Sequence, residues 1–507
     1  VGLTKVATKN GGKMNIYSWI EDNAAKMPDK VCIRTQGREI GFGELHRCCN
    51  VLGASLREAG ISKGDSVTIV LPNIPEFVIS YMAVVGIGAV AVLVNPAYTS
   101  GEMAHILKDS GSKALILETT GLKTYEAIKD TCPLDTIITT GEDGTFNKWV
   151  SGSAREVMAE EMDRDDTAVM IYSSGLTGYP MGAMLTHGNL DHQSDLMRLC
   201  MNNDHTDTTL TVIPCFHSFS SSANMLSMLR YGGSMYLMRR PDFKEMSGII
   251  SSKGVTSMGA VPTLYYGMVY HPDFKDTDCS GLKTIIAGGS ALDIQLYNTF
   301  KEHFHLDIRQ GYGITEASPT CAVNNKHVEI RPESIGPCVP GVKARVVDDS
   351  GADLATGKVG ELIFKGPNIM KGYFNKPEET KQAIKDGWLY TGDLGYVDKD
   401  GYIYITGYKK DMIITSGFNV YPREVTGVIN SMPGVMDSAI IGIPDLVRGA
   451  IIKAYVVKKD QDLTSGEIKG FTRSRLARFK NPRKVVFVDK IPRDNNNRPI
   501  LDSIEEG

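Results

Sequence analysis

The chain has 507 residues, a formal net charge of −4 and an isoelectric point near 6.3, a balance that offers no basic face for nucleic acid. With 42% hydrophobic and 22% charged residues, it has the composition of a globular protein of several units of ~100–200 residues each. Its nine cysteines form no C-x-x-C pair, which excludes zinc-type spacing. Scattered, reduced thiols and no apolar signal region predict a cytoplasmic protein.

In chain order, residues 43–59 repeat apolar side chains at helical spacing, and 66–71 is a β-branched run that predicts a buried strand. Residues 77–94 carry no charge over 18 positions, the lower edge of what spans a bilayer. Gly86 and Gly88 interrupt that run and Asn95-Pro96 ends it, so it predicts a buried helix, a glycine turn and a buried strand, and no transmembrane segment. A helix at 100–109 and strands at 113–117, 168–172, 210–213 and 284–287 continue the alternation, which implies βαβ units, a largely parallel sheet and an α/β fold class. From 344 to 404 short strands recur around turns at 349–351, 366–367 and 398–401, predicting an antiparallel β subdomain. A strand at 402–407 and a short charged link at 408–411 then lead to a compact α+β unit. It has helices at 422–432 and 468–476 and strands at 439–443 and 452–457.

The segment 172–182 reads Tyr-Ser-Ser-Gly-Leu-Thr-Gly-Tyr-Pro-Met-Gly and follows an apolar strand. Gly175, Gly178 and Gly182 let backbone N–H groups approach an anion closely, and Ser173, Ser174 and Thr177 add hydroxyl donors. It is not a Walker A loop, because no G-x-x-x-x-G-K-[ST] is present. By composition alone such a segment is more often just a loop.

Its spelling resembles the [ST]-[ST]-G-[ST]-T-G-x-P-K-G signature of the adenylate-forming superfamily, which includes AMP-forming acyl-CoA synthetases. Further matches follow in that family's order. Leu185-Thr186-His187-Gly188-Asn189-Leu190 continues the first, and Ala287-Gly288-Gly289-Ser290-Ala291-Leu292 is similar to the adenine-side loop. Gln310-Gly311-Tyr312-Gly313-Ile314-Thr315-Glu316 is similar to G-Y-G-x-T-E, and Tyr390-Thr391-Gly392-Asp393 to Y-x-T-G-D. Residues 417–425 are similar to G-x-x-x-x-P-x-E-[VIL].

The resemblance implies a large N-terminal domain of parallel-rich αβαβα layers, residues 1–409, with a β-rich subdomain at about 340–405. A small mobile C-terminal domain, 410–507, would rotate about a hinge. It implies ligation of a fatty or aryl carboxylic acid to CoA through an acyl-adenylate, with ATP, Mg²⁺ and coenzyme A. A carboxylate is already ionised at pH 7 and is its own nucleophile, so catalysis rests on positioning and charge neutralisation. Glu316 would help hold Mg²⁺ and Thr315 would contact the α-phosphate. Asp393 would accept from both ribose hydroxyls. Tyr312, between Gly311 and Gly313, would stack on adenine, with Gly288, Gly289 and Ser290 along its side. Ser173, Ser174, Gly175, Thr177 and Gly178 would cradle phosphates. His217, in a P-x-F-H-like segment, would line the acyl and thiol channel. Lys410 falls at the hinge, and Ser416, Gly417 and Phe418, with 442–444, would approach the pantetheine arm. Small residues at 217–224, with 261–265, 287–289 and 311–314, would leave room for an acid larger than acetate. The partners implied are small molecules, and a homodimer is compatible with the family.

Four positions depart from the pattern. Leu176 replaces a hydroxyl residue, Met181 replaces the loop's lysine, and Tyr408 stands where the family has an arginine. Arg498 replaces the lysine that bridges carboxylate and α-phosphate, with Asn497 replacing the glycine before it. A planar guanidinium does not reproduce a compact ammonium. Three readings stay open: a ligase that compensates with other residues, a relative with slow adenylation that keeps thioester chemistry, and a nucleotide- or acyl-CoA-binding protein with negligible turnover.

Overall fold

The computed structural model describes residues 13–152, 159–173, 180–252, 254–408, 412–445, 447–492, 499–501 and 504, with the side chains of 408 and 423 left aside. Two large sheets form its frame. In the seven-stranded sheet, Gly372–Tyr373, Met181–Thr186, Thr167–Ser173, Val90–Leu93, Ser66–Val70, Ala114–Glu118 and Thr136–Thr140 lie side by side in that order. Five of these strands, from Thr167–Ser173 outward, run parallel. The eight-stranded sheet runs from Thr320–Val323 through Arg309–Gly313, Thr284–Ala287 and Ser257–Ala260 to Thr208–Thr211, and continues to Glu39–Gly41.

The parallel strands are buried on both faces, as helices covering both sides of such sheets require. Ser66–Val70 and Val90–Leu93 are buried at every position. The uncharged run forms helix Pro75–Gly86, a turn with Gly88 at φ +78°, and strand Val90–Leu93. A Cβ on Gly88 would meet Glu160 Cγ at 2.9 Å, which adds a steric reason for glycine to the conformational one. No helix among the described residues is long and apolar enough to cross a membrane.

An antiparallel sheet follows, with Lys343–Val347, Gly360–Lys365 and Trp388–Val397 adjacent and Ile403–Tyr408 paired to the last of these. Beyond residue 411, the hairpin Ile413–Thr415/Phe418–Val420 precedes helix Pro422–Asn430. Strands Val435–Asp445, Gly449–Lys458 and Lys484–Phe487 form a three-stranded sheet. Val420, Val425, Ile429, Ile452 and Ile468 build a core of their own beneath it.

The site is placed by where strands end. Open α/β sheets bind ligands beyond their strands' carboxyl ends. Ser173 at the end of one strand, and the residues that follow Thr284–Ala287 and Arg309–Gly313 of the other sheet, line one shared cavity.

Candidate active site

The cavity has a volume of about 410 Å³, within the range of small-molecule sites. Ser173 closes its strand and stands beside Glu316, whose residues 315–317 form a 3₁₀ turn. Glu316 is 7% exposed. Its Oε1 accepts hydrogen bonds from Ser173 Oγ at 2.5 Å and Tyr373 Oη at 2.8 Å. Its other oxygen has no protein partner among the described residues. Thr315 lines the cavity next to it.

Asp393 is 7% exposed and accepts a hydrogen bond from the Tyr312 hydroxyl. Burial, with the Asp393 charge beside it, raises the Tyr312 pKa well above its ordinary value, so the phenol stays protonated as a donor. The Tyr312 ring lies on Phe364, with centroids 5.7 Å apart and planes at 30°. Gly311 and Gly313 flank it, and a Cβ on Gly313 would come within 2.3 Å of the Pro319 carbonyl oxygen. Gly288, Gly289 and Ser290 line the same wall. A Cβ on Gly288 would meet Phe219 at 3.1 Å, and Gly289 needs its φ of +80°.

His217 also lines the cavity. Its Nδ1 accepts from the Phe219 N–H at 3.2 Å, which leaves the ring proton on Nε2. Burial drives its pKa down to about 4, so it is neutral at pH 7 and adds no positive charge. His187 is fully buried and is likewise pushed down to about 4 by burial. An exposed histidine titrates near 6.5. Between these values the unfolded chain therefore binds more protons than the folded one, and stability rises with pH. The melting temperature is expected to hold above pH 6.5 and to fall by several degrees as pH drops toward 4, read by calorimetry.

The small domain reaches the cavity. Gly417, Asn419 and Tyr421 line it together with the large-domain residues. Gly417 has φ +81°, and Ser416 before it has φ +52°. Ser416 faces a second cavity of about 300 Å³, lined also by Arg448, Arg478 and Arg483. Phe418 stacks on Phe479, with centroids 4.4 Å apart. Ser416, Gly417 and Phe418 thus take three different places.

Several expected residues lie outside the described part: Ser174, Gly175, Leu176, Thr177, Gly178, Lys410, Asn497 and Arg498. For Tyr408 the backbone is described, and it pairs with Asp393 across the sheet.

Other expectations are corrected. Residues 261–265 do not line the cavity: Tyr265 is buried and donates to the Ile286 carbonyl oxygen at 2.7 Å, while Val261 backs Gly289 and Gly417. Ser220, Ser221 and Ser222 lie in the π-helical turn Phe219–Met225 and are buried behind the wall, so they open no room. Gly442 pairs with Ile452, which lines the second cavity, and packs on Ile413; Gly442 itself is in neither lining. Met181 is 3% exposed and belongs to the large hydrophobic core, so the position has lost its charge and is packed inward.

The wall that motif spelling missed is helix His187–Met201. Gln193, Leu196, Met197, Cys200 and Met201 line the cavity at i, i+3, i+4, i+7 and i+8, one face of the helix. Val323, Ile335 and Val339 line the same cavity. The only sequence signal was the helical spacing itself, which equally describes an ordinary core helix.

The arrangement fits a nucleotide and a metal carried by it. Gln310 Oε1 is buried in the cavity wall without a partner among the described residues, an acceptor suited to a base amino group, and Asp393 offers a carboxylate for a diol. Among the described residues no group of three His, Cys, Asp or Glu could hold a metal. Mg²⁺ would therefore ride on phosphates, with Glu316 as its protein ligand.

Comparison with known proteins gives the family. Residues 20–374 match the AMP-binding enzyme family and residues 424–498 the AMP-binding enzyme C-terminal domain. The chain is 33% identical to the long-chain-fatty-acid–CoA ligase of Bacillus subtilis (strain 168), over 94% of this chain and 92% of that one. It superposes with a TM-score of 0.87 on a double mutant of o-succinylbenzoate CoA synthetase from Bacillus subtilis bound with the product analogue OSB-NCoA. That match has 28% identity and covers 96% of this chain and 98% of the other. On ATP-bound MatB from Rhodopseudomonas palustris the TM-score is 0.75, at 30% identity over 97% and 98%. The chain belongs to the AMP-binding enzyme family, as an AMP-forming acid–thiol ligase that uses ATP, Mg²⁺ and coenzyme A.

Proposed function

We propose that this chain joins a fatty or aryl carboxylic acid, well beyond acetate in size, to coenzyme A through an acyl-adenylate. The observation that carries this reading is the wall, apolar from Leu196 to Met201, that helix His187–Met201 gives to the cavity shared with Tyr312, Glu316 and Asp393. From Gln193 to Met201 it extends about 12 Å at 1.5 Å per residue. An acid seated there places its carboxylate near Thr315 and Glu316 and its tail against Leu196, Met197 and Val323.

In this reading Asp393 and Tyr312 seat the ribose and base, and Ser173 and Thr315 orient the phosphates. Glu316 anchors the magnesium ion, which neutralises phosphate charge when bound. The acid then attacks the α-phosphorus and pyrophosphate leaves. Next the thiol attacks the acyl carbonyl and AMP leaves, with Gly417 forming part of the channel floor. Neutral His217 keeps that channel uncharged. The phosphates of CoA take the second cavity, where Arg478 and Arg483 form no ion pair among the described residues. Guanidinium groups are suited to phosphate oxygens. The protein acts in the cytoplasm, in fatty or aryl acid metabolism, and a homodimer is compatible with this chemistry.

The test is pyrophosphate exchange into ATP with acetate, hexanoate, dodecanoate and ferulate, followed by thioester formation with CoA. Exchange with the larger acids and little with acetate is the expected result. Acetate as the best substrate would overturn the assignment.

A second reading rests on a specific observation. Among the described residues lining the main cavity there is no lysine or arginine, whereas Glu316, Glu333 and Asp393 all contribute carboxylates. Those carboxylates face the anionic phosphates, and on that ground the second reading is slow adenylation with thioester chemistry retained. It is the better account if exchange is absent but supplied acyl-adenylate and CoA still yield thioester.

A further inference from the structure

Away from the reaction cavity, one ammonium group is sealed between the two domains. Lys480 is 3% exposed. Its Nζ lies 2.6 Å from Glu424 Oε1 of the small domain and 2.7 Å from Glu102 Oε1 of the large one. The Tyr98 ring, also of the large domain, has its centroid 4.8 Å away. Burial raises the Glu424 pKa, and the Lys480 charge beside it opposes that shift.

Glu102 is held rigidly. Its other oxygen accepts the Thr99 backbone N–H at 2.8 Å, closing a capping box at the start of helix Ser100–Ser110. Thr99 Oγ1 also lies 3.1 Å from the Arg475 carbonyl oxygen, a second contact across the same seam. An ion pair buried in this way contributes little net stability, because desolvation offsets the attraction. Its geometric demand is strict. A rotation that opens this seam would separate Lys480 from Glu102, whose charged atoms now lie 2.7 Å apart.

Lys480 sits in the 3₁₀ turn Arg478–Lys480. Its neighbours Arg478 and Arg483 face the second cavity. One short segment therefore turns a lysine onto the large domain and two arginines toward the proposed phosphate site. The same orientation brings Gly417, Asn419 and Tyr421 onto the main cavity.

We propose that Lys480 and Glu102 are positioning residues for the thioester step: their ion pair pins the small domain in the orientation that takes CoA. Neither residue touches the reacting atoms. The pin holds Gly417 at the channel and the two arginines at the CoA phosphates, and its release frees the domain for the adenylation arrangement. The inference rests on the ligase reading above.

Glu102→Gln keeps an acceptor for the capping box, and Lys480→Met keeps the aliphatic stem. Pyrophosphate exchange without CoA is expected to stay within about twofold of the unmodified protein. Single-turnover conversion of supplied acyl-adenylate with CoA should fall about tenfold, and Lys480→Arg should keep more of that rate than Lys480→Met. Spin labels at Glu378→Cys and Asp462→Cys, both exposed, read the interdomain distance, which should broaden in Lys480→Met. Equal loss in both half-reactions, or no loss in either, overturns the proposal. If the unmodified protein catalyses neither half-reaction, the ligase reading fails. The pin is then judged on the label distance alone, and an unchanged distribution overturns it.

Discussion

Replacing Glu316 by alanine is expected to slow adenylate formation about 10²–10³-fold, the loss typical when one charge-stabilising group leaves a preorganised site. The carboxylate is built in from two sides, by Ser173 Oγ and Tyr373 Oη, both on the same oxygen. That leaves the second oxygen to a metal ion on the ATP phosphates. No lysine or arginine among the described lining residues can take over its role. The fold should tolerate the change, because Glu316 lies on a cavity wall and its main-chain carbonyl still accepts from the Met370 N–H at 2.8 Å. Pyrophosphate exchange measures the adenylation step, and conversion of supplied acyl-adenylate with CoA measures the second. Exchange should collapse while the second step stays within a few-fold. A variant that exchanges at the native rate would remove Glu316 from the chemistry.

Gly417→Ala should produce the opposite split. The residue has φ +81°, a conformation that costs about 1–2 kcal/mol for a side chain other than glycine. Its new Cβ would also lie 2.7 Å from Val261 Cγ1 on the large domain. The hairpin must retreat from the cavity to relieve that clash, and small misplacements of this kind cost about 10²-fold in rate. The thioester step should therefore slow by about 10²-fold, with adenylation within a few-fold because Thr315, Glu316, Tyr312 and Asp393 line the cavity from the large domain. Val261→Ala in the same chain removes the clashing methyl group and should return part of the rate, a coupling expected of residues in contact. Equal loss in both half-reactions, or no recovery in the double variant, would contradict this account.

Much of the fold was legible along the chain. The uncharged run at 77–94 resolved into a helix, a left-handed glycine and a strand because two glycines and the Asn-Pro pair punctuate it. Strand Thr284–Ala287 coincides with its apolar run, and helix Ser100–Ser110 begins at the Thr99/Glu102 capping box. Strands 439–443 and 452–457 were each read too short. They pair across ten registered positions, out to Asp445 and Gly449, which apolar content alone does not mark. Motif spelling also identified Glu316, Asp393, Tyr312 and the glycine wall that line the cavity.

What the chain by itself determined is therefore local: periodicity, turn chemistry and the spelling of loops that bind phosphate and base. Each depends on residues within a few positions of one another. The tertiary structure decided which of those residues share a space. Met181 reads as a charge missing from a phosphate loop, yet it is part of the core. Ser220–Ser222 read as open walls, yet a π-helical turn buries them. Residues 193 to 201 carry no motif, and they become a cavity wall because residues as distant as Val323, Ile335 and Val339 line the same space. Lys480 reads as one basic residue among several. Its partner Glu102 is 378 positions away, and only the meeting of two domains makes the pair. A cavity and an interdomain ion pair are properties of side chains brought together from distant segments, and no local pattern encodes them.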